Sequence, residues 1–432
     1  MGTSMFCPAI LRITGGLVSR SYFCWPSLVK VPTTRNMSQF PTVEISPPAA
    51  LKGPINVPKK LLLGAGPATS SDRVLAAGAL PLLGILHAES FQVMDEIKAG
   101  LQYVFQTKNE LTLAISGTGH AGMEAAAVNI LEPGDVILVC KKGIWGERMA
   151  EMAERMGADV RIADKTPGDA FTLAEIEEAL KKHRPCVMFI TQGESSTGVG
   201  QPVEGMGDLC HKYDCLLIVD TVASLGAMPL FTDKWGIDIC YSGTQKVLNA
   251  PPSLAPITFS ERAREKIANR KTKVGSFYFD MGFLGNYWGC DGGPRKYHHT
   301  GPISSYYQFR EALAEMADEG LENSWKKHEN IIAQFHDGLR KLGCELFVKN
   351  KEYRLPTITS IVLPSDVHWK DVTTYVMQKH KIEFAGGLGP TAGQIIRIGF
   401  MGSNACPEVL ATGLAALEDA IKNARSQNAA KM

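Results

Sequence analysis

Asp220 closes the aliphatic run Leu216-Leu217-Ile218-Val219. Lys246 closes the polar segment Ser242-Gly243-Thr244-Gln245, which follows the second short run Ile237-Asp238-Ile239-Cys240-Tyr241. Both runs are too short for helices and rich in β-branched residues, so they read as buried strands. A carboxylate at the end of a buried strand is costly unless a cation meets it. One chemistry uses such a pair: a pyridine cofactor needs a carboxylate at its ring nitrogen and an amine to hold its aldehyde as a Schiff base. Taken alone, the Asp is also an ordinary turn or cap residue and the Lys an ordinary surface charge. The surroundings must decide.

Two further features bear on that decision. Ser116-Gly117-Thr118-Gly119-His120 lies between a strand at 111–115 and an Ala-rich helix at 121–131. Strand, glycine loop and helix N-terminus together make an anion site, because free amides and the positive end of the helix dipole suit a phosphate. Arg397 sits inside the apolar run Ile395-Ile396-Arg397-Ile398-Gly399. A buried guanidinium needs a partner, either an internal carboxylate or the carboxylate of a substrate held by two parallel hydrogen bonds.

The elements that must position these residues alternate. Strands are expected at 135–140, 159–162, 186–190 and 216–220. Helices are expected at 90–105, 149–157, 173–183 and 203–213, the third opened by a Thr172/Glu175 capping box. Ile144-Trp145-Gly146 and 191–198 read as loops. Such alternation means an α/β fold, a mostly parallel sheet with helices on both faces. Ligands then sit outside the carboxyl ends of the strands. The 116–120 loop, Trp145, Ser195, Asp220 and Lys246 all follow strands, so they converge at one edge. From about residue 303 the texture changes to long amphipathic helices (305–319, 321–342) followed by strands at 344–348, 357–363 and 395–398 and helices at 369–380 and 407–424, which reads as a smaller α+β domain.

The chain has 432 residues, 45% hydrophobic and 21% charged, with a formal net charge of +1. Two domains are expected at this length. There is no global basic field to recruit nucleic acid and no apolar run long enough to span a bilayer. Ten cysteines without C-x-x-C spacing indicate neither a zinc site nor a disulfide framework. The His298-His299 pair has no further His or Asp cluster near it, so no metal is expected. Gly64-Ala65-Gly66-Pro67-Ala68 lacks the dinucleotide spacing G-x-G-x-x-G, which argues against a nicotinamide dehydrogenase. Residues 1–43 contain Arg12, Arg20, Lys30 and Arg35 and no acid, the composition of a mitochondrial targeting presequence. Met37 offers a second start within it. Residues 44–63 read as an N-terminal arm, 64–302 as the large domain, 303–425 as the small domain and 426–432 as a tail. The terminal Ala430-Lys431-Met432 is similar to a peroxisomal address.

From about 45 to 424 the sequence resembles the serine–pyruvate / alanine–glyoxylate aminotransferase family, class V of the fold type I pyridoxal-phosphate enzymes. The resemblance rests on Met94-Asp95-Glu96-Ile97-Lys98, Ser116-Gly117-Thr118-Gly119-His120, Gly143-Ile144-Trp145-Gly146, Gly193-Glu194-Ser195-Ser196-Thr197-Gly198, Ser242-Gly243-Thr244-Gln245-Lys246 and Gly386-Gly387-Leu388-Gly389-Pro390. It implies a homodimer that moves an amino group from L-alanine or L-serine to glyoxylate, yielding glycine with pyruvate or hydroxypyruvate. It further implies that Lys246 forms the Schiff base and shuttles the α-proton, Asp220 holds the pyridine nitrogen protonated, and Trp145 stacks on the ring. Gly119, His120 and Gln245 would bind the phosphate with Tyr297 and Thr300 of the other subunit. Ser195 would bond the ring hydroxyl or the substrate side, and Arg397 would grip the substrate carboxylate beside Gly64. Two departures stand out: Ala65 and Ala68 in the 64–68 loop, and Gln192 where the family carries His, which implies altered acid–base tuning near the cofactor. His87-Ala88-Glu89-Ser90-Phe91 resembles the insect members that use 3-hydroxykynurenine, the alternative donor.

Overall fold

The computed structural model describes residues 43–429. The stretch expected to be a targeting presequence and the terminal tripeptide lie outside the described residues, apart from Val43. The chain divides into a unit ending at Pro58 and one beginning at Lys59. In the first, the described residues contain one 3-10 turn, at Ala49–Leu51. The second holds the other described elements.

Its centre is a seven-stranded sheet formed by β1 (Leu111–Ser116), β2 (Val136–Lys141), β3 (Asp159–Asp164), β4 (Val187–Thr191), β5 (Leu216–Asp220), β6 (Ile239–Tyr241) and β7 (Leu254–Phe259). The order across the sheet is 1-7-6-5-4-2-3. Pairing is parallel except at β7, which runs antiparallel to both neighbours. Strands β4 to β7 are buried along their whole length, as a sheet covered on both faces requires. Strand β7 is not foreseen from the sequence. Its Pro256 argues against a central strand, yet Pro256 is paired with Ala114 and its carbonyl accepts from Ser242 N at 2.9 Å.

The helices are α1 (Asp72–Ala77), α2 (Ala88–Phe105), α3 (Gly119–Ile130), α4 (Ile144–Arg155), α5 (Leu173–His183), α6 (Met206–Lys212), α7 (Glu261–Ala268), α8 (Met281–Tyr287), α9 (Ile303–Glu319), α10 (Leu321–Lys341), α11 (Trp369–Tyr375) and α12 (Pro407–Ala429). Helix α5 begins with the expected box: Thr172 Oγ1 accepts from Glu175 N, and the Glu175 carboxylate accepts from Thr172 N. Helix α4 corrects the reading of 144–146 as a loop. Its first amide, Ile144 N, is met by Ser196 Oγ at 3.2 Å, a cap brought from 52 residues away that no local pattern could reveal.

A second, four-stranded antiparallel sheet contains β8 (Glu345–Leu346), β9 (Ile358–Val362), β10 (Ala385–Gly386) and β11 (Ile396–Gly399), in the order 8-9-11-10. Two large cores and one small cluster around Ala170, Val199 and Val348 result, and the large cores divide differently from the change in texture at 303. The buried face of α9, including Tyr306, Phe309 and Leu313, belongs to the core of the large sheet. The second core takes in Ile331, Phe335 and Leu339 of α10 with Leu417 and Ile421 of α12. It also recruits Leu63, whose neighbours Leu61–Leu62 pair with Ile382–Glu383. The end of the expected arm is thus a strand against the second core. The physical reason is that the amphipathic stripe of α9 matches either core in composition, and only packing selects one.

Candidate active site

Parallel strands β4, β5 and β6 end side by side, with Thr191 opposite Asp220 and Asp220 opposite Tyr241. This register sets the acid. Asp220 is 2% exposed; Oδ1 accepts from Val222 N at 2.8 Å and Oδ2 from the Tyr241 hydroxyl at 2.9 Å. Burial pushes its carboxyl up to about 7, against the downward pull of those two hydrogen bonds.

Lys246 leaves β6 through a braced turn. Thr244 N donates to Leu254 O, Asn249 N to Lys246 O, and Ala68 N to Gln245 O at 2.8 Å. Asn249 takes a left-handed φ of 62°, tolerable for Asn. The half-buried amine donates to Ala65 O. Burial pulls its pKa down to about 8 and the Arg397 charge adds to this; Asp220 and Glu383 oppose it. Gly66 explains how the 64–68 loop comes so near: a Cβ there would lie 2.3 Å from Lys246 Nζ, and its φ is 102°.

Trp145, in the first turn of α4, donates from Nε1 to Ser195 Oγ at 2.9 Å, and the His120 ring meets it edge-on at 5.4 Å. Burial and the nearby Arg148 hold His120 below the usual histidine range. Gly119 and His120 open α3, where Thr118 makes no side-chain cap. Their amides are therefore available to an anion. Gln245 Oε1 is buried without a hydrogen-bond partner. Arg397, 7% exposed in β11, donates from Nε to Gly386 O at 2.8 Å and from Nη1 to Ser195 O at 3.0 Å. Two of the five N–H groups are thereby used, leaving the Nη1/Nη2 end for a fork grip on a carboxylate. Gly64 faces the Glu383 carboxylate, 3.1 Å from where its Cβ would be.

Lys246, Asp220, Trp145, Ser195, His120, Arg397 and Gly64 are linked by these contacts and mutual charges. Tyr297 and Thr300 are not among them: they pair with each other at 3.2 Å on an exposed stretch. Gln192 is tied to the protein on both polar atoms: Oε1 accepts from Ser224 Oγ at 2.7 Å and Nε2 donates to Pro229 O at 3.1 Å. His298 and His299 are absorbed locally, by Phe277 O and Ser116 Oγ. Sequence reading missed the Tyr241 phenol, Glu383 and the buried Lys142 and Glu194. Lys142 carried a usable signal, a charged residue directly after a buried strand.

The residues fit a pyridine cofactor bearing an aldehyde and a phosphate: an amine below its usual range, a buried carboxylate on the neighbouring strand, and uncapped helix amides. A parallel sheet with that edge defines an α/β enzyme whose site suits pyridoxal-type chemistry. The chain belongs to the class-V aminotransferase family, whose model matches residues 82–410. It is similar to alanine–glyoxylate aminotransferase of Callithrix jacchus, 52% identical over 379 residues, which span 88% of this chain and 92% of that one. The Drosophila melanogaster alanine–glyoxylate aminotransferase is 47% identical, spanning 89% of this chain and 98% of the other. The crystal structure of alanine–glyoxylate aminotransferase from Nostoc sp. matches with a TM-score of 0.85 and 45% identity, covering 88% of this chain and all of that one. The protein is an aminotransferase of fold type I.

Proposed function

We propose that the protein transfers the amino group of L-alanine, or L-serine, to glyoxylate with pyridoxal 5'-phosphate, as a homodimer. The observation that carries this is the half-buried Lys246 amine at the sheet edge, which donates to Ala65 O and feels the charges of Arg397 and Asp220, its pKa lowered to about 8. The similarity to the alanine–glyoxylate aminotransferases supports the choice of substrates. Pyridoxal phosphate, when bound, supplies an aldehyde for the amino group and a ring that draws electron density from the substrate α-carbon.

The residues divide the work. Lys246 Nζ receives and returns the α-proton, which an amine titrating near neutrality does well. Asp220 holds a proton at the pyridine nitrogen. The amides of Gly119 and His120, with Gln245, take the phosphate. Trp145, tied to Ser195, orients the ring. Arg397 grips the substrate carboxylate and so aligns its α-carbon with Lys246. Tyr297 and Thr300, paired and exposed, would complete the phosphate site of a second subunit.

A donor panel tests the reading: alanine, serine and 3-hydroxykynurenine, each with glyoxylate, with Lys246→Ala as control. Glycine formation from alanine or serine, lost in the control, is expected. Turnover with 3-hydroxykynurenine alone, or none, refutes it. The acid-free residues 1–43 are proposed to direct the chain to mitochondria and Ala430-Lys431-Met432 to peroxisomes. A reporter fused to residues 1–43 that stays cytosolic defeats the first.

A further inference from the structure

His298 and His299 fall between Tyr297 and Thr300, the two residues proposed to serve the phosphate of the other subunit. Three hydrogen bonds run through the pair. His298 Nε2 meets Phe277 O at 3.2 Å, the two rings meet Nδ1 to Nδ1 at 2.8 Å, and His299 Nε2 meets Ser116 Oγ at 2.7 Å. The partners fix the direction of each bond. A carbonyl only accepts, so a neutral His298 carries its proton on Nε2 and offers a bare Nδ1. His299 must then donate from Nδ1, which leaves its Nε2 bare to accept from the Ser116 hydroxyl. Burial brings His299 down to about 4, and the His298 charge adds to this. At neutral pH the His299 ring therefore carries a single proton, as the arrangement requires. One chain of donors runs from Ser116 through both rings to Phe277.

Aromatic neighbours clamp the two rings. Phe277 stacks on His298, with centroids 5.0 Å and planes 10° apart, and Tyr287 meets His299 edge-on at 5.5 Å. The Tyr278 ring lies against both, and its hydroxyl donates to Ser116 O at 3.4 Å. Ser116 is thus held at side chain and main chain by one cluster. It ends β1 and begins the 116–120 loop, whose Gly119 and His120 amides open α3. Both histidines are half-buried, whereas Tyr297 and Thr300 are exposed, and among the described residues their side chains bond only each other.

We propose that His298 and His299 are positioning residues for the cofactor phosphate: their one-way hydrogen-bonded link ties the 116–120 loop of one subunit to the Tyr297–Thr300 segment that serves the other. The inference rests on the proposed phosphate roles of Gly119, His120, Tyr297 and Thr300.

Pyridoxamine phosphate and pyridoxamine differ only in the phosphate, so together they separate this role from a general one. Both are titrated into the full-length apoenzyme, read by tryptophan fluorescence, in wild type, His299→Leu, Ser116→Ala, the double variant and His299→Gln. The first two variants cut the link at the same bond. Each is expected to weaken pyridoxamine phosphate by about tenfold and to leave pyridoxamine within about twofold of wild type. The double variant is expected to bind no more weakly than His299→Leu, because the shared bond can be lost only once. His299→Gln, whose amide oxygen can still accept from Ser116, is expected to recover part of the loss. Equal weakening of both ligands overturns the proposal, as do additive losses in the double variant. Variants that lose melting temperature but keep wild-type pyridoxamine phosphate affinity also overturn it, since the link is then purely structural. A wild-type enzyme that binds pyridoxamine phosphate without turnover on alanine and glyoxylate defeats the functional reading and leaves this test standing. One that binds the two ligands equally defeats the phosphate roles, and the proposal with them.

Discussion

Tyr241→Phe isolates the hydrogen bond that keeps Asp220 ionisable. The phenol, fully buried, donates to Asp220 Oδ2 at 2.9 Å. The other oxygen keeps its bond from Val222 N. A hydrogen bond to a charged group is worth about 1.5–3 kcal/mol. At about 1.4 kcal/mol per pKa step, its loss raises the Asp220 pKa by about one to two. The carboxyl then moves from about 7 to roughly 8–9. Because the folded value lies above the ordinary 3.8, the stability Asp220 contributes is full below that ordinary value and is lost as pH rises through the folded value. Binding of a cationic pyridine ring has the opposite sign: it needs the carboxylate and strengthens as pH rises. Pyridoxamine phosphate, which cannot form a Schiff base with Lys246, is the clean probe. Its affinity for apoenzyme, read by tryptophan fluorescence across pH 5.5–9.5, is expected to rise through about pH 7 in the wild type. In Tyr241→Phe it should be about 5- to 50-fold weaker at neutral pH, from the fraction ionised, and converge with the wild type at high pH. An unchanged midpoint, or one moved to lower pH, refutes the reasoning.

Three other outcomes are expected. Uptake of pyridoxal phosphate by apoenzyme should accelerate with pH to a midpoint near 8, where Lys246 loses its proton; stopped-flow absorbance showing a midpoint near the ordinary lysine value would contradict this. Gly66→Ala combines a φ of 102° with a Cβ 2.6 Å from Lys246 Cδ. It should cost about 1–3 kcal/mol of stability in a denaturant titration and displace the amine, so that kcat falls further than the melting temperature explains. Arg397→Lys keeps the charge but loses the planar fork, so KM for the amino acid should rise about tenfold to a hundredfold with the fold intact; a kcat loss at constant KM in steady-state assays would rule that out.

The site was legible wherever the determining signal is local. Asp220 and Lys246 announce themselves by following apolar runs, and the 116–120 loop by its glycines between a strand and a helix. Arg397 stands out against its own strand. Signals that depend on distant residues were silent. The helix carrying Trp145 begins where Ser196 caps it, α9 joins the core that its packing selects, and Pro256 is held in mid-sheet by strands on both sides.

By itself, then, the sequence determined the β-α alternation, the carboxyl edge as the candidate site, and the residue types that gather there. Hydrophobic period and capping act within about ten residues and survive in the linear text. The tertiary structure alone decided the strand order, which puts Asp220 beside Tyr241 and Thr191, and the burial that moves Asp220 and Lys246 toward neutrality. Burial and charge proximity are properties of chain segments far apart in sequence, and they take definite values only once the sheet has closed over them.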